Sequence, residues 1–591
     1  MNISKTLYDA LKKSFEENEF DSNDITLTFS NRPEADYQCN SVFAIAKKMH
    51  LNPEEVANKI IEKLEQDIAE VSFARPGFIN FKLKNEVLSA YLNEALADER
   101  MCLNTLEKQI KVVMDYGGAN VAKELHIGHL RSPLIGESLA RLYRILGNEV
   151  ITDTHLGDWG LQMGLTIAQL QDDGYVDGYF EEGKPNKEIT LDTLNEAYPK
   201  ASKRKNVDDA FRVKAETYTK YIQDHKEPYW SIYEKIRNIS IDRIKINYGK
   251  LNCFFDYWYG ESTSAPYVEK VVKMFVDKGL TREHEGALVV DVAREGENIP
   301  IEKKNPDDSQ LYKNPMPPVY LKKSNGADVY DTTDIATIYQ RNIDFNPDKI
   351  MYIVDKRQGS HFERCFRAVK TVGISPESQE LQFVGFGTLN GTDGKPFKTR
   401  SGDTIKLEDI IGLITDSAKT KLKENGIENA DKLALDIGVS AMKFGDLSND
   451  PLKDYVFDID KFASFEGKTG PYIGYTGARI NSLIKKAGAK ISDIEKNGEI
   501  NVADENQRGI AIAFLKLQES YMTSYKNTSL APLCNSVYDF ASSFAKFYND
   551  TRILTEKDEV KKNSYLAISY FVLKAIKQAS SVLAFEIPEK M

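Results

Sequence analysis

Cysteine is scarce: Cys39, Cys102, Cys253, Cys365 and Cys534 are the only five in 591 residues, and no two form a Cys-x-x-Cys pair. That spacing argues against a zinc knuckle and a disulfide framework, and no bound metal site is expected. It suits a reducing compartment, so a cytoplasmic location is expected. Long apolar runs are also missing. Nowhere do eighteen apolar residues follow one another without a charge, and the apolar C-terminal stretch is broken by Lys574 and Lys577. A membrane span is therefore not expected. Met1 to Phe20 carries Lys5, Lys12, Lys13, Glu16, Glu17 and Glu19, which reads as an amphipathic helix rather than a charged-then-apolar leader. Positive charge is in deficit as well, with 78 Lys and Arg against 89 Asp and Glu, a net of −11. That excludes a general nucleic-acid coat, which needs clustered cations. It leaves room for a local basic module: residues 461–591 hold 18 Lys and Arg against 14 Asp and Glu, a net of +4.

What is present is ordinary globular composition, 41% hydrophobic and 28% charged, in a chain long enough for three or four domains. Residues 1–105 read as a small α+β unit, with alternating strands at Ile25 to Phe29 and Gly77 to Leu83 and helical periodicity at Ser41 to His50 and Pro53 to Ala69. A βαβ unit opens at Lys111, with a strand through Val112 to Tyr116, a Gly117-Gly118-Ala119-Asn120 breaker, a helix over Ile127 to Leu146 and a strand over Glu149 to Thr154. Residues 172–314 turn polar and Lys/Glu-rich, helical around 207–248, and read as an insertion. The α/β pattern resumes with strands at Ile350 to Val354 and Leu381 to Phe386 around a helix at His361 to Val372. After about Phe462 only helical periodicity remains. The expected architecture is a Rossmann-like doubly wound parallel sheet over 110–400, interrupted by the insertion, with its ligand site at the strand C-termini. A helical connector over 401–460 and a helical bundle over 461–591 complete it.

The strongest local signal is His126-Ile127-Gly128-His129, a pattern expected by chance far less than once in a chain with seven histidines. It lies between the first strand and its helix. His126 and His129, three apart, project to one side. The helix N-terminus offers N–H groups to a phosphate, and Gly128 lets a nucleotide approach. A second signal follows the strand ending at Phe386: Gly387 opens a glycine-rich loop in which Lys395, Lys398 and Arg400 alternate with small residues. Such a loop can close over a triphosphate and meet charge developing on the leaving group.

The chain resembles a class I aminoacyl-tRNA synthetase, most closely an arginyl-tRNA synthetase. The resemblance runs through Asp115 to Ser132, His155 to Gly160 and Lys395 to Gly402, and extends to both ends of the chain. Two departures stand out. Alanine occupies position 119 where the family has proline, and the second lysine of the family's Lys-Met-Ser-Lys-Ser loop is Thr399 here, which makes Lys123 the substitute cation. The resemblance implies ATP as a substrate with Mg2+, L-arginine and tRNA(Arg) as partners, and a monomer. It assigns catalysis to Lys123, His126, His129, Lys398 and Arg400, and ATP binding also to Gly128, Gly387, Lys395 and Thr399. The arginine pocket takes Asp115, Asn120, Tyr330, Asp334 and Gln358. His155 either reaches the adenylate and its arginine or belongs to a turn anchored by Trp159. The remaining histidines, His361 among them, read as surface or core. The resemblance sends tRNA to both ends. Phe78 and Asn80 are candidates in the N-terminal unit. Tyr472 and Tyr475 are either stacking platforms for anticodon bases or packing residues of a bundle helix. Among rivals, the cysteine enzyme of this class needs zinc ligands that are lacking, and the branched-chain enzymes need a long editing insertion. A cofactor adenylyltransferase needs neither terminal unit.

Overall fold

Val112, Val113 and Met114 are wholly buried because the strand that contains them, Lys111–Tyr116 (β1), has neighbours on both sides. In this computed structural model, which describes residues 2–591 except 295–296, 298–315, 325–328, 392–393, 395–404, 425 and 429, β1 pairs with Glu149–Asp153 (β2) and Lys349–Asp355 (β3), and β3 with Glu380–Phe386 (β4). All three pairings are parallel, in the order β4-β3-β1-β2. A sheet covered on both faces reads as continuous apolar runs, which is why these strands are visible in the sequence. The register sets Asp115 opposite both Tyr352 and Asp153, so three strand ends share one edge. The helix Arg131–Ile145 (α1) follows β1 and packs on it.

The region expected as a polar helical insertion differs in two ways. It contains helices, including Leu191–Arg204 (α2), Asp209–Gln223 and Tyr229–Lys250. It also feeds an antiparallel sheet of Thr281–His284, Ala287–Val290 and Val319–Lys322. Its inner segment returns to the central sheet, where Tyr257 bridges Asp153 and Gly260 bridges Leu156. Asp256 fastens that return, accepting hydrogen bonds from the Thr152 N–H and hydroxyl, both at 2.9 Å. These strands are short, and Val319–Lys322 lies far in sequence from the hairpin of Thr281–His284 and Ala287–Val290 that it joins. Beyond the insertion, Tyr330–Phe345 (α3) leads to β3, and Gly359–Val372 (α4) joins β3 to β4.

In the N-terminal unit the helix expected over Pro53 to Ala69 stops at Glu62, and Ala69–Ala74 is instead a strand paired antiparallel with Phe78–Leu83. Glu70 and Ser72 face outward there, the alternation of a strand with one solvated face. The C-terminal region is helical, with Gly470–Lys486, Glu505–Asn527, Ala531–Asp550 and Glu559–Val582 as its long members. The two terminal units meet. The Arg508 guanidinium pairs with Asp36 and donates to Leu83 O at 2.8 Å, and Asn93 exchanges two hydrogen bonds with the Ile500 backbone at 2.8 Å. Among the described residues no helix is long and apolar enough to cross a membrane.

Candidate active site

The chain leaves β1 through Gly117, whose φ of +70° suits glycine and whose missing side chain makes room for the Phe255 ring. The following loop is strapped to the segment after β2: Asn120 and Gly157 form a parallel bridge, and a Cβ on Gly157 would meet Asn120 Oδ1 at 2.2 Å. Ala122 then takes a left-handed φ of +62°, and its N–H donates to the buried Ser240 hydroxyl at 3.0 Å. This turn sets Lys123, whose ammonium lies over the Tyr198 ring of α2, 4.7 Å from the centroid.

His126–His129 does not enter the α-helix directly. Ile127–His129 is a 3₁₀ turn, and the α-helix begins at Arg131. The two histidines cap that turn reciprocally. The Gly128 N–H donates to His126 Nδ1 at 3.1 Å, and the His126 N–H donates to His129 Nδ1 at 3.0 Å. A nitrogen that accepts an N–H carries a lone pair, so each neutral ring bears its proton on Nε2 and presents it as a donor. Burial and the charge of Lys123 lower the His126 pKa. His129 is pushed down to about 3 by burial and by His126. The pair is therefore a set of two neutral donors, 4.0 Å between ring centroids.

This corner is joined to both ends of the glycine-rich loop. At its start, Arg131 donates to Gly387 O at 2.9 Å and to Lys453 O at 3.1 Å, while pairing with Asp446. Beyond its far end, the Ile127 N–H donates to Ile405 O at 3.1 Å, the Leu407 N–H donates to Leu125 O at 2.9 Å, and Lys406 pairs with Glu124 at 2.5 Å. The expected loop cations Lys395, Lys398 and Arg400, with Thr399, lie outside the described residues.

The expected arginine-binding residues gather at the same strand ends. Asp115 is buried, and Arg341, a residue the sequence did not single out, bonds its Oδ2 at 2.9 Å and that of Asp153 at 2.6 Å. Burial raises the Asp115 pKa, opposed by Arg341 and by His155. His155 Nδ1 is buried without a hydrogen-bond partner. The turn after it is anchored by the buried Asp158 carboxylate, which accepts from Arg237 Nε at 2.7 Å and from the Ser262 N–H at 2.9 Å. Trp159, the expected anchor, packs edge-on against Trp230 and Tyr233. Tyr330 and Asp334 share one face of α3. The Tyr330 hydroxyl donates to Gln358 Oε1 at 3.3 Å, and its ring lies 4.4 Å from that of His361. Glu261, also unforeseen, joins this pocket: burial raises its pKa, and it lies within electrostatic reach of His155 and Asp334. A negative wall of this kind suits a guanidinium.

The candidate RNA contacts are divided. Phe78 is half-buried, whereas Asn80 is buried and accepts from Gln38 Nε2 at 2.9 Å. Tyr472 packs against Tyr538 in the bundle, while Tyr475 is exposed with Arg479 over its ring at 5.5 Å.

Residues 1–83 match the family described as Arginyl tRNA synthetase N terminal domain. Residues 91–459 match tRNA synthetases class I (R), catalytic domain, and residues 473–591 match the DALR anticodon binding domain. An arginine–tRNA ligase of Alkaliphilus oremlandii is 39% identical over 589 residues, covering 98% of this chain and 97% of its own. One from Francisella tularensis subsp. novicida is 34% identical with full coverage of both. The crystal structure of an arginyl-tRNA synthetase from Plasmodium falciparum superposes with a TM-score of 0.82 at 25% identity, covering 100% of this chain and 99% of its own. The Thermus thermophilus arginyl-tRNA synthetase, at 20% identity and TM-score 0.77 with full coverage of both, shares the fold.

Proposed function

The chain belongs to the class I arginyl-tRNA synthetases, and on that premise we propose how its residues divide the work. The enzyme charges tRNA with arginine at the expense of ATP. The arginine carboxylate oxygen bonds to the α-phosphorus, the bond from that phosphorus to the bridging oxygen breaks, and pyrophosphate leaves. A hydroxyl of the terminal tRNA ribose then attacks the arginyl carbonyl and releases AMP. No covalent enzyme intermediate is needed, so catalysis is positioning and charge stabilisation.

His126 and His129 serve as neutral Nε2–H donors to the phosphate oxygens, beside the N–H groups of the 3₁₀ turn. Lys123 holds the pyrophosphate side with Lys395, Lys398 and Arg400, and Gly387 and Thr399 belong to the ATP-binding set. Asp334, Tyr330 and Glu261 take the guanidinium, Gln358 lies beside the side chain, and Asn120 and His155 meet the substrate backbone. Asp115 acts chiefly by fixing Arg341 beneath the pocket. Around His126 the described groups are donors and cations, not a cage of oxygens. Mg2+ would enter here as a companion of ATP and would lower the charge on the leaving group. Residues 110–400 carry the chemistry, 401–460 connect, and 1–105 and 461–591 meet tRNA through Phe78 and Tyr475, while Asn80 and Tyr472 pack within their own units. A monomeric, cytoplasmic enzyme completes the reading.

One observation carries it: a tautomer-locked histidine pair and an acidic pocket built on Tyr330 and Asp334 stand at the same edge of one parallel sheet. ATP–pyrophosphate exchange with each of the twenty amino acids, with and without tRNA, tests it. Exchange is expected with arginine alone and only with tRNA present. Exchange with another amino acid, or none with arginine, refutes it.

A further inference from the structure

His361 stands where the arginine-pocket residues converge. Its Nδ1 is 2.9 Å from Asp331 Oδ1 and its Nε2 is 2.5 Å from Asp334 Oδ2. Its ring lies 4.4 Å from that of Tyr330, tilted by 31°, and Tyr330 in turn bonds Gln358. An imidazole whose two nitrogens both face carboxylate oxygens must carry protons on both. Burial opposes that charge, but the hydrogen bonds to Asp331 and Asp334 outweigh it and hold the His361 pKa up to about 12.

The surroundings fit a fixed cation. Arg364 pairs with the far side of Asp331 at 3.3 Å. The Cys365 thiol, 3.8 Å from His361 Nε2, is held neutral by burial, its pKa raised to about 11. Phe362 closes the remaining side edge-on at 5.2 Å. Two carboxylates and two cations thus balance, and Glu261 remains as the negative group facing Asp334. Without the imidazolium, repulsion between Asp331 and Asp334 would be relieved only by Arg364, and a freely rotating Asp334 would be a poorer partner for a second guanidinium.

We propose that His361 is a positioning residue for arginine recognition: it clamps one oxygen of Asp334 and supports the face of Tyr330, so that the other Asp334 oxygen and the Tyr330 hydroxyl are presented to the substrate guanidinium. This rests on the reading of Tyr330 and Asp334 as the guanidinium end of the pocket. It assigns no proton transfer to His361.

The side-chain amide of glutamine reaches about where Nε2 lies, and that of asparagine about where Nδ1 lies. His361→Gln therefore keeps a donor to Asp334 and loses the one to Asp331, and His361→Asn does the reverse. Steady-state ATP–pyrophosphate exchange with tRNA is measured on the full chain for both variants and for Asp334→Ala, with thermal melts as the folding control. The KM for arginine is expected to rise in the order wild type, His361→Gln, His361→Asn, the last by about 10-fold or more, with the KM for ATP within about twofold. A residue that merely fills space would not favour glutamine over asparagine or spare ATP. If Asp334→Ala raises the arginine KM while both His361 variants leave it unchanged, or if asparagine serves as well as glutamine, the clamp is refuted and the pocket stands. If Asp334→Ala itself leaves the arginine KM unchanged, the pocket reading fails instead. Should the glutamine variant fold poorly, an unshifted arginine KM in the asparagine variant is enough to refute the clamp; should the asparagine variant fold poorly, His361→Ala, which keeps neither donor, takes its place with the same expected rise.

Discussion

Arg131 and Asp446 form an ion pair of 2.9 Å that water barely reaches, their side chains being 2% and 1% exposed. The pair ties the first turn of α1, immediately after His129, to the helix Asp431–Leu447, and through Gly387 and Lys453 to the root of the glycine-rich loop. The Tyr455 hydroxyl adds a third bond to Asp446 at 2.8 Å. The histidine corner and the loop root are thereby one rigid piece.

Removing Arg131 strands a buried carboxylate. Arg131→Ala is expected to destabilise the enzyme by about 3–5 kcal/mol, seen as a lower Tm and denaturant midpoint. Arg131→Lys should recover little, since an ammonium cannot reproduce the planar fork that serves Asp446 and two carbonyls.

Acid should act on the histidine pair through stability before it acts on chemistry. Both pKa values are lowered on folding, His129 to about 3, so below about pH 6.5 the unfolded chain binds protons that the fold refuses. Their contribution is complete above pH 6.5 and is lost as pH falls towards 3. Between pH 6 and 8 the exchange rate should show no inflection from His129. His129→Ala should slow exchange by about 10² or more, with the melting temperature reporting whether the turn survives.

Lys123 rests on an aromatic ring supplied by the insertion, which gives residues 191–204 a stake in the chemistry. Lys123→Ala is expected to lower kcat for exchange by about 10² while leaving the arginine KM little changed. Tyr198→Leu should cost a few-fold, in line with about 0.5–1 kcal/mol for a cation over a ring. In a Lys123→Ala background it should cost nothing further, a cycle read by the same assay.

Much of this is legible in the sequence. β1 and β3 read as nearly continuous apolar runs because they are central strands buried on both faces, and His-x-Gly-His was conspicuous because histidine is rare here. The sheet ending at Val319–Lys322 was not legible, since its strands are short and the last of them is distant in sequence from the hairpin it joins; Ala69–Ala74, although it forms a local hairpin with Phe78–Leu83, runs on from the helical pattern that precedes it. Within the site, Tyr330 and Asp334 come through resemblance, His361 reads as surface or core, and Arg341 and Glu261 carry no signal. What distinguishes them is contact with Asp334, with Asp115 and Asp153, and with the pocket's charge. Composition and spacing carry no trace of such contacts, although the step of three from Gln358 to His361, onto the first turn of α4, was a usable hint.

The docking of the N-terminal unit on the bundle makes a separate prediction. Arg508→Ala removes the partner of Asp36, a carboxylate whose pKa burial already raises, and should loosen that junction. Hydrogen exchange is expected to rise over Phe78–Leu83, where Arg508 bonds the Leu83 carbonyl, with little change in β1.

The most direct measurement is a crystal structure of the enzyme with L-arginine and a non-hydrolysable ATP analogue. The account predicts the guanidinium within hydrogen-bond distance of Asp334 and Tyr330, and phosphate oxygens facing Nε2 of His126 and His129. A guanidinium seated away from Asp334, or phosphates meeting histidine Nδ1 atoms with the reciprocal caps broken, would contradict it.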